Sequence, residues 1–248
     1  MTTQALILAA GRGERMRPLT DLCPKPLLNV QGKPLIAWHL ENLARAGVLD
    51  VTINTAWLEQ QFAAALGEGS RFGLRIHYSH EGARFGGALE TAGGIATALP
   101  LMGDTVKNDA PFWLLAGDVY APAFEFPRDD AARFAASDAL AHIYLVPNPP
   151  HNLKGDFGLS ADGLALDQAA QKFTYSTIGL YRPSLFKDTP AGQKAALAPL
   201  LRQAMRNGRV SAALYSGAWT DVGTPERLAA LNLPRCPPPV PTKEFHSS

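Results

Sequence analysis

Residues 4–10, QALILAA, constrain this chain more than any other stretch. The run is short, unbroken and apolar, and it stops at Gly11, which is the pattern of a strand buried on both faces. A strand covered on both sides needs helices on both sides of its sheet, and the following residues supply them. Residues 34–46 read as a helix, with Ile36, Leu40, Leu43 and Gly47 at i, i+4, i+7 and i+11 and Gly47 as its stop. Strands expected at 50–54, 73–78 and 112–116 alternate with helices expected at 58–66 and 89–99. That rhythm predicts βαβ units and a parallel sheet flanked by helices. It changes in the second half. A strand at 140–146, a hairpin over 157–166 turning at Asp162-Gly163 and a strand at 173–181 read as inserted antiparallel material. A helix at 194–207 and a strand at 210–215 follow. Thr224-Pro225-Glu226 then opens a last helix with a capping hydroxyl, a proline and an acid. The expected class is α/β: a mixed, mostly parallel sheet with helices on both faces.

The chain has 248 residues, 46% of them hydrophobic, enough for one large domain, expected over 1–232. Beyond it Pro234, Pro237, Pro238, Pro239 and Pro241 make residues 233–248 a proline-rich tail, read as disordered or extended. Lys+Arg is 23 and Asp+Glu 22, a balance that argues against a general nucleic-acid binder. No apolar run approaches the roughly 18 residues a membrane helix needs, so no membrane partner is expected. Cys23 and Cys236 are far apart in sequence and form no CxxC, so the default is a reduced, cytoplasmic protein.

Five constellations could carry chemistry. Gly11-Arg12-Gly13-Glu14-Arg15-Met16-Arg17 follows the first strand, where backbone N–H groups and arginines suit an anion such as a triphosphate. Met16 stands where a dinucleotide fingerprint has its third glycine, and no GK[ST] follows, so this is neither that motif nor a Walker A loop. A glycine turn with solvated arginines fits the same residues. Lys25, between Pro24 and Pro26, is expected on a stiffened, extended backbone, preorganised for a phosphate that gains charge in a transition state. Asp118 follows a buried strand at the end where open α/β sheets place their ligands. Asp221 precedes the last helix, and two such carboxylates could share one Mg²⁺. Glycines 86, 87, 93 and 94 crowd a helical pattern and mark the close approach of a ligand or another backbone. Glu90 among them could accept a hydrogen bond from a nucleobase. Other chemistries lack their residues. His77 and His80 are spaced for opposite faces of a strand, there is no HExxH and no GxSxG, and His39 reads as a partly buried structural histidine.

In their order these segments resemble the sugar-1-phosphate nucleotidylyltransferase family. The pattern G-x-G-x-R-x-x-P-L-T then P-K-P-L appears as Gly11 to Thr20 and Pro24 to Leu27, with Glu14 where the family has Thr or Ser. Gly117-Asp118 and the run Trp219-x-Asp221-x-Gly223-Thr224-Pro225-Glu226 also match, so the resemblance spans residues 4–232. It implies a Rossmann-like nucleotidyltransferase fold and Mg²⁺ dependence. Arg15 would hold the triphosphate and Lys25 the α-phosphate; Asp118 and Asp221 would hold the metal. Ala10, Gly11, Gly13, Glu14, Arg15, Asn54, Glu90 and Gly93 would bind the nucleotide. The implied reaction is in-line attack of a sugar phosphate oxygen on the α-phosphorus of a nucleoside triphosphate, with pyrophosphate leaving. The attacking phosphate is already anionic near neutral pH, so positioning and charge neutralisation carry the catalysis and no general base is needed.

Within the family, residues 90–95 (ETAGGI), Ile53-Asn54-x-Ala56-Trp57-Leu58, Gly155-Asp156-Phe157 and residues 197–201 most resemble bacterial N-acetylmuramate-1-phosphate uridylyltransferases of cell-wall recycling. That pattern would put Asn148, Asp156 and Thr177 against the sugar and favours UTP. The Q-x-x-x-G-L-A-Q stretch of the thymidylyltransferases is absent, as is the E-K-P segment many relatives carry before residue 173. Hydrogen bonding alone leaves the base open. Glu90 could accept from uracil N3–H, or from the two adjacent donors of guanine, so a mannose- or heptose-1-phosphate guanylyltransferase stands beside the uridylyltransferase. A non-catalytic sugar-nucleotide sensor on the same fold is the alternative of another class. A monomer or small homo-oligomer is expected.

Overall fold

The computed structural model describes residues 3–233; the expected tail lies outside the described residues apart from Leu233. A seven-stranded sheet organises the molecule. Its strands are β1 (Gln4–Leu8), β2 (Asp50–Thr55), β3 (Arg75–His80), β4 (Phe112–Ala116), β5 (Ala141–Val146), β6 (Thr174–Tyr181) and β7 (Val210–Leu214). In space the order is β7-β5-β6-β4-β1-β2-β3. β1 runs parallel to β2 and β4, β2 to β3, and β7 to β5, whereas β6 is antiparallel to both β4 and β5. The expected mixed, mostly parallel sheet is therefore present, and β6 is the antiparallel insertion. The chain goes one way from β1 to β2 and the other way to β4, so the β1–β4 seam is a topological switch point, where such sheets open a crevice at their carboxyl ends.

Among the described residues, six α-helices of seven or more residues accompany the sheet: α1 (Leu35–Arg45), α2 (Gln60–Leu66), α3 (Glu90–Ala98), α4 (Arg128–Ala136), α5 (Leu197–Arg206) and α6 (Pro225–Asn232). Alternation along each strand divides the core into two layers. Ala5 and Ile7 of β1 face Ile36, Leu40 and Phe62 of α1 and α2; Leu6 faces Ile95 and Leu201 of α3 and α5. At about 0.025 kcal/mol per Å² of apolar surface, burial on both faces makes this sheet the main source of stability. Thr224 caps α6 through the Arg227 N–H, and Pro225 occupies its first turn, as expected.

Several expectations shift. The hairpin at 157–166 contracts to the two-residue strands Gly158–Leu159 and Ala165–Leu166. α5 starts at Leu197 because the preceding residues pair with another segment: Ala195 donates to Leu89 O at 3.1 Å and its carbonyl accepts from Ala92 at 2.8 Å. α4 has no counterpart in the sequence reading, since Phe134 is its one buried residue and no apolar stripe marks it. Lys25 does not lie on extended backbone. Residues Lys25–Leu27 form one tight 3₁₀ turn, in which Leu27 donates to Pro24 O at 2.9 Å. Pro26 is tolerated there because a first helical turn has no use for its missing N–H. No described helix is long and apolar enough to cross a membrane.

Candidate active site

The crevice at the β1–β4 seam is a cavity of about 650 Å³, within the range of small-molecule sites. The end of β1 and the glycine loop form its floor through Leu8, Ala9, Ala10, Gly11 and Gly13. Lys25 reaches in from its turn and Asp118 from the end of β4, and Lys25 Nζ donates to Asp118 Oδ2 at 2.8 Å. The Lys25 side chain is 12% exposed and that of Asp118 39%, so the lysine is sunk in the pocket floor while the carboxylate opens to solvent.

A buried network sets the wall opposite. Asn54, at the end of β2, accepts from Ala9 N at 2.7 Å and donates to Glu81 Oε1 at 2.6 Å. Glu81 Oε2 accepts from Leu89 N at 2.9 Å, so one carboxylate ties the end of β1 to the start of the glycine-rich segment. Burial pushes the Glu81 carboxyl above its ordinary value, against the two donors that favour its ionised form. A side chain at Gly94 would meet Asn54 Nδ2 at 2.6 Å and Glu81 Oε1 at 2.7 Å, and one at Gly93 would clash with Gln193 O. These helical glycines let the network and a neighbouring backbone come close. Gly93 does not line the cavity; Glu90 does, with its backbone at φ +60°. A positive φ is uncommon outside glycine and clusters at binding sites.

The inserted antiparallel unit makes the third wall. β6 shifts register between Tyr175 and Gly179, and Thr177 in that bulge has φ +61° and faces the cavity. Trp219 fixes the bulge by donating Nε1–H to Ser176 O at 3.0 Å. Asp156 lines the cavity beside Phe157, and its Oδ2 accepts from Tyr175 N at 2.8 Å and Asn152 Nδ2 at 3.2 Å. Asn148 is not in the wall. Its amide donates to Lys172 O and its oxygen accepts from Thr174 Oγ1 at 2.9 Å, which holds the loop that supports Asp156.

The arginines separate. Arg12 donates to Thr20 O and Asp21 Oδ1 and stacks on Trp57, while Arg17 pairs with Asp21 at 2.9 Å. Met16 between them is buried. Arg15 is exposed and makes no ion pair among the described residues, and neither it nor Glu14 lines the cavity. Glu14 lies 3.8 Å from Arg12 and 3.9 Å from Arg17.

Asp221 also lies outside the cavity lining, yet its backbone adjoins that of Asp118. Thr220–Asp221 pairs antiparallel with Val119–Tyr120, and Val222 N donates to Asp118 O at 2.9 Å. Arg227 holds Asp221 Oδ2. Oδ1, although buried, takes no aligned hydrogen bond and has His151 Nε2 at 2.8 Å. No cluster of three or more acidic, histidine or cysteine side chains gathers among the described residues. Two carboxylates on adjoining segments, Asp118 and Asp221, offer the hard oxygens suited to a cation that draws its remaining ligands from phosphates, as Mg²⁺ does. His39 lies under this region and is fully buried, its Nε2 2.7 Å from Val119 O. Burial pulls its imidazole down to about 4, so the ring is neutral at physiological pH and structural.

Tyr175 and Arg202, which line the cavity, and Glu81, which stands behind it on Asn54, are not singled out by the sequence. Only Glu81 had a signal, as a lone acid between a strand and the glycine-rich stretch.

Comparison with known proteins agrees with the fold. Residues 4–234 match the family described as nucleotidyl transferase. The chain is 50% identical over 232 residues to an N-acetylmuramate alpha-1-phosphate uridylyltransferase of Neisseria meningitidis serogroup B, covering 91% of this chain and 95% of that one. It is 35% identical over 239 residues to the protein of that name from Caulobacter vibrioides, covering 91% and 94%. In fold it is similar to a putative glucose-1-phosphate thymidylyltransferase of Bacillus anthracis, with TM-score 0.72, 23% identity and 94% of each chain covered. HddC of Yersinia pseudotuberculosis, complexed with GMP-PN, is also similar, with TM-score 0.71, 16% identity and 93% and 98% covered.

Proposed function

The chain belongs to the nucleotidyl transferase family, as a sugar-1-phosphate nucleotidyltransferase, and we propose that it joins UTP to N-acetylmuramate 1-phosphate, releasing pyrophosphate. The observation that carries this reading is the 50% identity to the Neisseria protein over 95% of its length. At the seam, the glycine loop of Ala10, Gly11 and Gly13 receives the triphosphate, while Glu14 and Arg15 follow that loop outside the cavity lining, with Arg15 exposed to take the outer phosphates. Asn54 and Gly93 shape the nucleotide side of the pocket, and Glu90 accepts from uracil N3–H. Asp156 and Thr177 face the sugar, with Asn148 supporting them.

The sugar phosphate oxygen forms a bond to the α-phosphorus, the bond from that phosphorus to the bridging oxygen breaks, and pyrophosphate carries away the electron pair. Lys25 places a fixed cation where the α-phosphoryl oxygens gain charge. Asp118 and Asp221 would hold a Mg²⁺, which would supply further charge neutralisation at the phosphates. Nucleoside triphosphate as donor supports a cytoplasmic setting, in recycling of cell-wall sugars.

The test is pyrophosphate release from UTP, GTP and dTTP in turn, with Mg²⁺ and either N-acetylmuramate 1-phosphate or a hexose 1-phosphate. Turnover with UTP far above the others is expected. Turnover with GTP and a hexose 1-phosphate instead would keep the mechanism and overturn the substrates. Silence across all donors and sugars would favour a sensor.

A further inference from the structure

The lactyl ether of N-acetylmuramate carries a carboxylate that the parent amino sugar lacks, and a site that selects the first over the second needs a cation for it. Two cationic side chains, Lys25 and Arg202, line the cavity. Lys25 is committed to Asp118. Arg227 nearby is committed to Asp221. Arg202 differs from both. Its Nε donates to Asp167 Oδ1 at 3.0 Å, and its two terminal nitrogens meet no acceptor among the described residues.

The anchor is placed by the unit that builds the third wall. Asp167 directly follows the strand Ala165–Leu166, which pairs with Gly158–Leu159, and that strand directly follows Asp156 and Phe157. One hairpin therefore presents Asp156 to the cavity and orients Arg202 over its rim. The Asp167 side chain is 19% exposed and that of Arg202 47%, so the inner edge of the pair is fixed and the outer edge is open. Arg202 lies on the face of α5 that lines the cavity, with Ala198 one turn earlier. The first turn of that helix carries no side-chain cap, which adds its positive pole to the same wall.

We propose that Arg202 is a specificity residue that receives the carboxylate of the acceptor sugar on its free terminal N–H groups, held in orientation by Asp167. This inference rests on the reading of the acceptor given above. A planar guanidinium with one edge anchored by a carboxylate and the other open matches a second carboxylate, and anchoring reduces the side-chain entropy lost on binding.

The experiment compares kcat/KM for N-acetylmuramate 1-phosphate and N-acetylglucosamine 1-phosphate, which differ by the lactyl group, in wild type, Arg202→Gln, Arg202→Lys and Asp167→Asn. Loss of a charge-assisted hydrogen-bond pair should reduce the wild-type preference by about 10- to 100-fold in Arg202→Gln, mainly through KM. Arg202→Lys should lose less, and Asp167→Asn should show a smaller fall in the same direction. A merely structural role would lower both sugars together and leave the ratio in place; that result overturns the inference alone. A wild-type enzyme indifferent to the lactyl group, or inactive on both sugars, overturns the acceptor reading and this inference together.

Discussion

At the scale of single residues, the seam separates groups that face the cavity from groups that lie behind it. Lys25 and Asp118 face the cavity and touch each other, while His39 sits behind them, neutral, on the carbonyl of Val119. Its pKa of about 4 lies below the unfolded value near 6.5, so between those values the unfolded chain binds the extra proton. Stability is therefore whole above pH 6.5 and falls as pH drops toward 4, by up to about 3 kcal/mol for a group buried this deeply. Urea unfolding from pH 7 to 4 should show that fall in wild type and lose most of it in His39→Gln, which can still donate to Val119. An equal slope in both would remove His39 from the account. The structural role of His39 was legible from its place on an apolar helix face. Asp118 was legible from its place after a buried strand. Asn148 shows where such reading stops: a polar residue near a sugar motif can bind the loop behind the site, and only the fold distinguishes the two.

At the scale of elements, the expected strands and main helices are present with ends moved by a few residues, because buried apolar runs and periodic stripes report directly on burial. Elements outside that logic were hidden. α4 has one buried residue, and the turn at Lys25 is set by tertiary packing. The Asn54–Glu81–Leu89 network was hidden for another reason: a charged residue gives no sequence sign that it is buried and doubly bonded. Both Glu81 oxygens accept, so Glu81→Gln turns one acceptor into a donor facing another N–H. Leaving a buried donor unsatisfied costs about 1–3 kcal/mol. Thermal unfolding of Glu81→Gln should show that loss, with a raised KM for the nucleotide as the glycine-rich wall loosens. Unchanged stability and KM would mean that the network does not set the wall.

At the scale of the whole molecule, one sheet with both faces covered brings distant stretches to one crevice, among them the loop after β1, the Lys25 turn, the end of β2, the glycine-rich start of α3, the end of β4, the inserted antiparallel unit and α5. The fold class was readable because strand–helix alternation leaves few topologies. The crevice was readable only in part, since its third wall rests on a bulge in β6 and on Arg202, neither of which has a sequence signature. The central claim is that this seam carries nucleotidyl transfer by positioning and charge neutralisation. Its most direct test is mass-spectrometric detection of UDP-N-acetylmuramate from UTP and N-acetylmuramate 1-phosphate with Mg²⁺, in wild type, Lys25→Met and Asp118→Asn, each checked for native unfolding. The account predicts product in wild type, a drop of about 10²- to 10³-fold in Lys25→Met, as for loss of one preorganised charge-stabilising group, and none detectable in Asp118→Asn. Undiminished product in the folded variants, or none in wild type, would contradict it.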